Sequence, residues 1–160
     1  MSNIMPFRFS LHSLTKQDTI HQIMATNTVS CQYGLSLNEE DAEQIFMARQ
    51  AILKNLGRVE ISTGVISQLI TIFCRSPFIS QENYAAAVID LMEAFYYIKN
   101  ETRDEIGDLE IIELMKERFD TRCGGSIELL VSQGMEDVIQ AARQGHYYRT
   151  LSGEDNEVSK

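Results

Sequence analysis

Apolar residues return every three or four positions along most of this chain, and the longest uninterrupted run lies between Ser80 and Glu101. Tyr84, Val88, Leu91, Met92, Phe95 and Ile98 fall on one stripe of an α-helix at that spacing. Ala85, Ala86, Ala87 and Ala94 add helix propensity and allow close approach of a neighbour. Ser80 is a good cap, and Glu82 and Asp90 stand in the half of the helix where its dipole favours acids. Ile89, Tyr96 and Tyr97 spill off the stripe. A helix apolar over more than half its circumference is expected to be central, with neighbours on several sides.

The same periodicity predicts further helices. One runs from about Thr15 to Ala25 with Ile20, Ile23 and Met24 inward. Asn38 caps the next, followed by three acids and the stripe Ala42, Ile45, Phe46, Ile52, Leu53 and Leu56, with Gly57 as its stop. A third starts at Ser62 or Thr63 and buries Val65, Ile66, Leu69, Ile70 and Phe73 before Pro77 ends it. The short connection to the Ser80–Glu101 helix predicts a helical hairpin. Asp108 is read as the cap of a helix with Leu109, Ile112, Met115 and Phe119 inward and Ile111 and Leu114 beside them. Ser126 starts a short helix through Val131, Gly134 breaks it, and Met135 to Gln144 form a last one. Thr26 to Ser30 read as a loop or short extended piece, because Thr, Asn and Ser compete for backbone groups. Phe7, Phe9 and Leu11 alternate with polar residues, which predicts a short extended element near the N-terminus. The expected fold is therefore all-α: a single-domain bundle of five to seven helices over residues 1–150, with a disordered acidic tail at 151–160.

Composition narrows the function classes. The 14 basic residues are scattered among 23 acidic ones, for a net charge of −9. A phosphate backbone or an anionic membrane needs clustered Lys and Arg, so neither nucleic acid nor membrane is expected as a partner. Cys31, Cys74 and Cys123 are an odd number without a short pairing pattern, the signature of reduced thiols. The first residues hold no long apolar run and no small-residue cleavage site, and no stretch approaches the roughly 20 apolar residues that span a bilayer. A cytoplasmic protein is the expectation.

Candidate chemistry is sparse. Thr102 to Glu113 overlaps the calcium-loop template at Gly107, Leu109 and Glu113, but its first position is Thr102 and its fifth Ile106, so an ordinary helix–loop–helix is the better reading. Arg122-Cys123-Gly124-Gly125-Ser126 offers backbone N–H groups beside Arg118 and Arg122, yet it lacks the lysine and glycine spacing of a phosphate loop, and Gly-Gly is first a turn signal. Cys74 sits at a helix C-terminus, where a thiolate is disfavoured, and reads as a buried inert thiol. No histidine has metal or triad spacing, so no catalytic residue, metal ligand or cofactor is expected. Arg49 falls on a buried stripe: either its stem packs and its head reaches water, or it sits in a pocket and pairs an acid or an anionic ligand. Tyr97 and Glu101 share a face four residues apart, with Tyr96 and Lys99 close by; the tyrosines either pack with hydroxyls at the surface or form a partner surface. Arg49, Arg75, Tyr97, Lys99, Glu101 and Arg122 are the candidate ligand- or partner-binding residues.

Four stretches together resemble a bacterial family of unknown function associated with clostridial-type Gram-positive bacteria. They are Gly57 to Glu60, Leu69 to Pro77, Phe95 to Glu101, and Phe119-Asp120 followed by Cys123, Gly125 and Ser126. The resemblance covers about residues 34–131. It implies a bacterial cytoplasmic origin and carries over no catalytic residues. The expected role is an interaction or accessory module that recognises another protein, or a second copy of itself, through a helical face. That expectation draws on the absence of catalytic constellations and on apolar residues off the main stripes, such as Ile72, Ile89, Ile111 and Leu114. A small-ligand binder or enzyme with a polar pocket between helices is the alternative.

Overall fold

The computed structural model describes residues 16–60 and 64–145. No strand occurs among the described residues, and the fold is all-α. The extended element expected around Phe7 to Leu11 and the tail expected at 151–160 lie outside the described residues. The chain divides into two compact units, Met1–Met92 and Glu93–Lys160. The division falls inside a helix, so no linker marks it. No helix among the described residues is long and apolar enough to cross a membrane.

In the first unit, α1 covers 16–25 and buries Ile20 and Ile23. The short α2 (Asn27–Ser30) continues as a 3-10 turn, Cys31–Tyr33. This region is helical, not the loop or extended piece that its Thr, Asn and Ser content predicts. The reason is where the hydroxyls go. Thr26 Oγ1 donates to the Ile23 carbonyl and Thr28 Oγ1 to that of Ala25, back along the preceding turn, so they do not compete with the helix. Gly34, at φ 77°, ends the turn: its N–H donates to the Cys31 carbonyl and that of Leu35 to the Ser30 carbonyl.

The four residues that follow are extended and tied down by side-chain amides. Asn27 Oδ1 accepts from the Leu37 N–H and its Nδ2 donates to the Leu37 carbonyl, both at 2.8 Å. One residue earlier, Gln81 Oε1 accepts from the Ser36 N–H at 2.8 Å and its Nε2 donates to the Ser36 carbonyl at 3.0 Å. Two amides thus do for Ser36 and Leu37 what a neighbouring strand would do. Leu35 and Leu37 are buried and Ser36 is exposed, the alternation of an extended chain.

Asn38 then starts α3 (Glu39–Leu56) with a capping box: the Asp41 N–H donates to Asn38 Oδ1 at 2.7 Å and the Asn38 N–H to Asp41 Oδ2 at 3.0 Å. Gly57 ends α3 in the left-handed region, as expected. Ala42, Ile45, Phe46 and Leu53 are buried, but Leu56 is exposed and Ile52 only half-buried. The α4 helix (Gly64–Phe73) buries all five residues assigned to its inner face and packs against α2. Ser80 opens a 3-10 turn, Gln81–Asn83, that leads into α5 (Tyr84–Glu101).

The second unit takes the latter half of α5, then α6 (Asp108–Asp120), α7 (Ile127–Leu129), a π-helical turn over Leu130–Gly134, and α8 (Glu136–Arg143). The N-cap of α6 is Gly107, not Asp108: the backbone is extended at Gly107 and helical from Asp108, whose carboxylate pairs Lys99 at 2.7 Å. Leu109 is 45% exposed, against its expected place inside. Ile106 and Ile111 are buried instead, at the positions of a hydrophobic staple on either side of the α6 start. Of the apolar residues off the main stripes, Ile111 is buried, while Ile72, Ile89 and Leu114 are half-buried.

At the C-terminus of α5 the Arg103 N–H donates to the Asn100 carbonyl and the Asp104 N–H to the Lys99 carbonyl. That is the same closure that Gly34 and Gly57 make, but Arg103 and Asp104 hold it at φ 57° and 59°. Two consecutive left-handed side-chain-bearing residues cost free energy. Arg103→Gly is expected to stabilise the protein by about 1 kcal/mol, read as a higher urea midpoint with unchanged slope. Asn27→Ala is expected to cost about 1–3 kcal/mol, since it strips both backbone partners from buried Leu37. A loss within error for Asn27→Ala would show that water replaces the amide.

Candidate functional site

Each candidate residue takes its position from the helix that carries it. In the first unit Arg49 lies on the inner stripe of α3 and is 3% exposed. Its Nη2 donates to the Glu60 carbonyl at 3.1 Å and stands 3.9 Å from the Glu60 carboxylate. The guanidinium head does not reach water. It pairs an acid of its own unit and fastens the segment after α3 back onto that helix. Arg75, just beyond α4, is exposed. Cys74 beside it is buried, with its thiol on the Thr71 carbonyl at 3.4 Å. The Tyr84 hydroxyl is buried facing Ser30, and burial raises its pKa against the partial relief that Ser30 gives.

In the second unit Lys99 is a stitch rather than an open base. Its Nζ donates to the Ile106 carbonyl at 2.7 Å and pairs Asp108 at the same distance, holding the turn after α5 against the start of α6. Thr102, first position of the calcium-loop template, is buried and its hydroxyl donates to the Lys99 carbonyl at 3.0 Å. Among the described residues no group of three or more His, Cys, Asp or Glu stands close enough to hold a metal. Glu101 pairs with Arg143 of α8, whose Nε also donates to the Glu101 carbonyl at 3.1 Å. Tyr96 is buried edge-on to Phe95, with ring centroids 4.9 Å apart. Tyr97, its neighbour, is 44% exposed. Of Tyr97, Lys99 and Glu101, only the tyrosine ring is left facing outward without an internal task among the contacts described.

Arg118, weighed in the sequence only as a neighbour of the Gly124-Gly125 turn, has a different role in the structure. It is buried, and its Nη1 donates to the Gly134 carbonyl at 2.8 Å and to Asp137 Oδ1 at 2.7 Å. One guanidinium therefore ties α6 to the π-turn and to the first turn of α8. The signal was present: Ile111, Ile112, Met115, Arg118 and Phe119 share one helical stripe, just as Arg49 shares one in α3. Gly134 packs tightly: a Cβ there would stand 2.7 Å from Cys123 Sγ, so a side chain would force that thiol to shift. Burial raises the Cys123 pKa, and Arg122 and Arg118 only partly offset it, so the thiol stays protonated and weakly nucleophilic. Arg122 is exposed and adds to the positive potential at Asp137. Partial burial works to raise the Asp137 pKa, but the hydrogen bond and charge of Arg118 outweigh it and the net shift is downward.

A family model described as a family of unknown function (DUF6323) matches residues 22–148. No curated protein and no solved structure matches the chain.

The lowered Asp137 pKa gives a signed prediction. A carboxylate whose pKa is depressed on folding stabilises the native state above its ordinary value of 3.8, and that contribution is lost as the pH falls through the lower native value. Urea midpoints of the native chain and Asp137→Asn are expected to differ at pH 7 and to converge as the pH is taken below 3.8. A gap that stays constant with pH would place the role of Asp137 elsewhere.

Proposed function

The chain belongs to this family of unknown function, and we propose that it is an interaction module that recognises another protein through the outer face of α5. The observation that carries this reading is Tyr97: a tyrosine 44% exposed on a helix whose neighbouring residues Ala94, Phe95, Tyr96 and Ile98 are all buried. A tyrosine held on a rigid, packed helix offers a large amphipathic contact at low entropic cost, the kind of anchor around which interfaces concentrate their binding energy. The fastening of Lys99 onto Ile106 and Asp108, and of Glu101 onto Arg143, fixes the backbone beneath the ring. A cytoplasmic bacterial setting, no nucleic acid and no membrane complete the proposal; the net charge of −9 supports the exclusion of polyanions. The small-ligand alternative draws a polar pocket from Arg49, Arg75, Tyr97, Glu101 or Arg122; Arg49 and Glu101 commit polar atoms to contacts inside their own units, and Arg75, Tyr97 and Arg122 are exposed.

The test is capture of partners by the tagged full chain at moderate salt, with native protein and Tyr97→Ala side by side and circular dichroism to show that both are folded. One protein retained in stoichiometric amount by the native chain and reduced at least about tenfold by Tyr97→Ala is the expected outcome. Capture indifferent to Tyr97→Ala, or recovery of the chain alone, would overturn the reading.

A further inference from the structure

The first half of α3 presents an outer face in the other unit, apart from Tyr97. Glu39, Glu40, Glu43, Gln44 and Met47 are exposed there and floor an open hollow of about 620 Å³; among the described residues its lining comes from α3 alone. Met47 is 57% exposed, and Glu43 stands one turn before it. Asp41 is used in the capping box, but Glu39, Glu40 and Glu43 make no ion pair among the described residues. The helix dipole steadies Glu39 and Glu40 in the first turn and does less for Glu43 beyond it. The first base along α3 is Arg49, whose guanidinium is turned inward onto Glu60. This face is therefore an acidic surface with an apolar side chain at its end.

The described chain begins beside it. Lys16 brings its ammonium 5.7 Å from the ring centroid of Phe46, the neighbour of Met47 on α3. Residues 5–12, just before Lys16 in sequence, include Arg8 and His12 and no acid, and Phe7, Phe9 and Leu11 alternate with Arg8, Ser10 and His12. An extended chain of that pattern has one apolar and one basic edge, the complement of Met47 and the three glutamates. The length also fits. The chain between Phe9 and Lys16 reaches at most about 23 Å, and the α3 surface from Met47 back to Glu39 is only about 12 Å long. Residues 146–160 are a poorer match, because Glu154, Asp155 and Glu157 would face like charge. A separate molecule would have to give up translational freedom that a tethered segment has already lost. We propose that residues 5–12 lie back along the outer face of α3, with Phe9 against Met47 and Arg8 on the Glu43 carboxylate. The inference is independent of the reading of α5.

The test uses the full chain with isotopically labelled methionine methyls and measures nuclear Overhauser contacts from the Met47 methyl to phenylalanine rings. A contact that disappears in Phe9→Ala is expected. Glu43→Arg, a change at an exposed position, is expected to abolish it too, and the double variant Arg8→Glu/Glu43→Arg to restore it. This charge exchange reads the same contact without depending on Phe9→Ala keeping its fold. The methyl of Met115, buried in the other unit, is the control and is expected to keep its resonance in every variant. A mixture of labelled and unlabelled chains separates contacts within one molecule from contacts between two. No Met47 contact that depends on Phe9, a contact made only between molecules, or a contact that survives Glu43→Arg or is not restored by the exchange would each overturn the proposal. A contact between molecules would instead assign the face to a second copy of the chain.

Discussion

Backbone groups that lie between helices still need hydrogen-bond partners, and this chain supplies them from long polar side chains. Asn27 and Gln81 take both backbone groups of Leu37 and of Ser36. Arg49 takes the Glu60 carbonyl, Lys99 that of Ile106, Arg118 that of Gly134 and Arg143 that of Glu101. Each bond is made within one unit, and each fixes a stretch that helical hydrogen bonds cannot reach. With no strand among the described residues, such clamps stand where a sheet would otherwise carry the irregular chain. Bonds from a charged donor are stronger than neutral ones, which suits arginine and lysine to the role.

This explains how much of the fold and of the candidate site was legible in the sequence. Helices announce themselves by period, so α3 to α6 and α8 lie where the apolar stripes put them. Caps are local too: Asn38 with Asp41, and Ser126 with Leu129, follow from residues three apart. A clamp is different, because its acceptor is a carbonyl, and every residue has one. Nothing in the sequence says that Lys99 reaches Ile106 or that Asn27 reads Leu37. The helical α2 was hidden for the same reason: whether a threonine hydroxyl supports or competes with a helix depends on which carbonyl it finds. Leu109 turns outward while Ile106 and Ile111 are buried on either side of the α6 start, a pairing that the stripe of α6 alone does not show.

Arg49 and Arg118 mark the middle ground. Each stands on a stripe of otherwise apolar residues, and that placement alone says that it is inside and must be paired. The identity of the partner is not encoded. A buried arginine on such a stripe therefore looks like a ligand-binding residue until its carbonyl is known. Arg118 also explains the irregular stretch after α7. The π-turn presents the Gly134 carbonyl to the guanidinium, and the absence of a side chain at Gly134 leaves room for Cys123 against it. The lowered pKa of Asp137 is the electrostatic trace of the same hub.

The internal use of the bases shapes the outside of the protein. Lys99, Arg118 and Arg143 direct positive charge to carbonyls and acids of their own unit, whereas Glu93 stays at the surface. Each of these bases also neutralises an acid, Asp108, Asp137 or Glu101, so the outer side of α5 keeps Glu93 and the Tyr97 ring as its exposed features. There the tyrosine is an amphipathic ring on a helix whose neighbouring side chains are buried and whose nearby Lys99 and Glu101 are fastened inside the unit. The clamps that hold the fold and the character of its exposed face thus have a common origin in where the cations were placed.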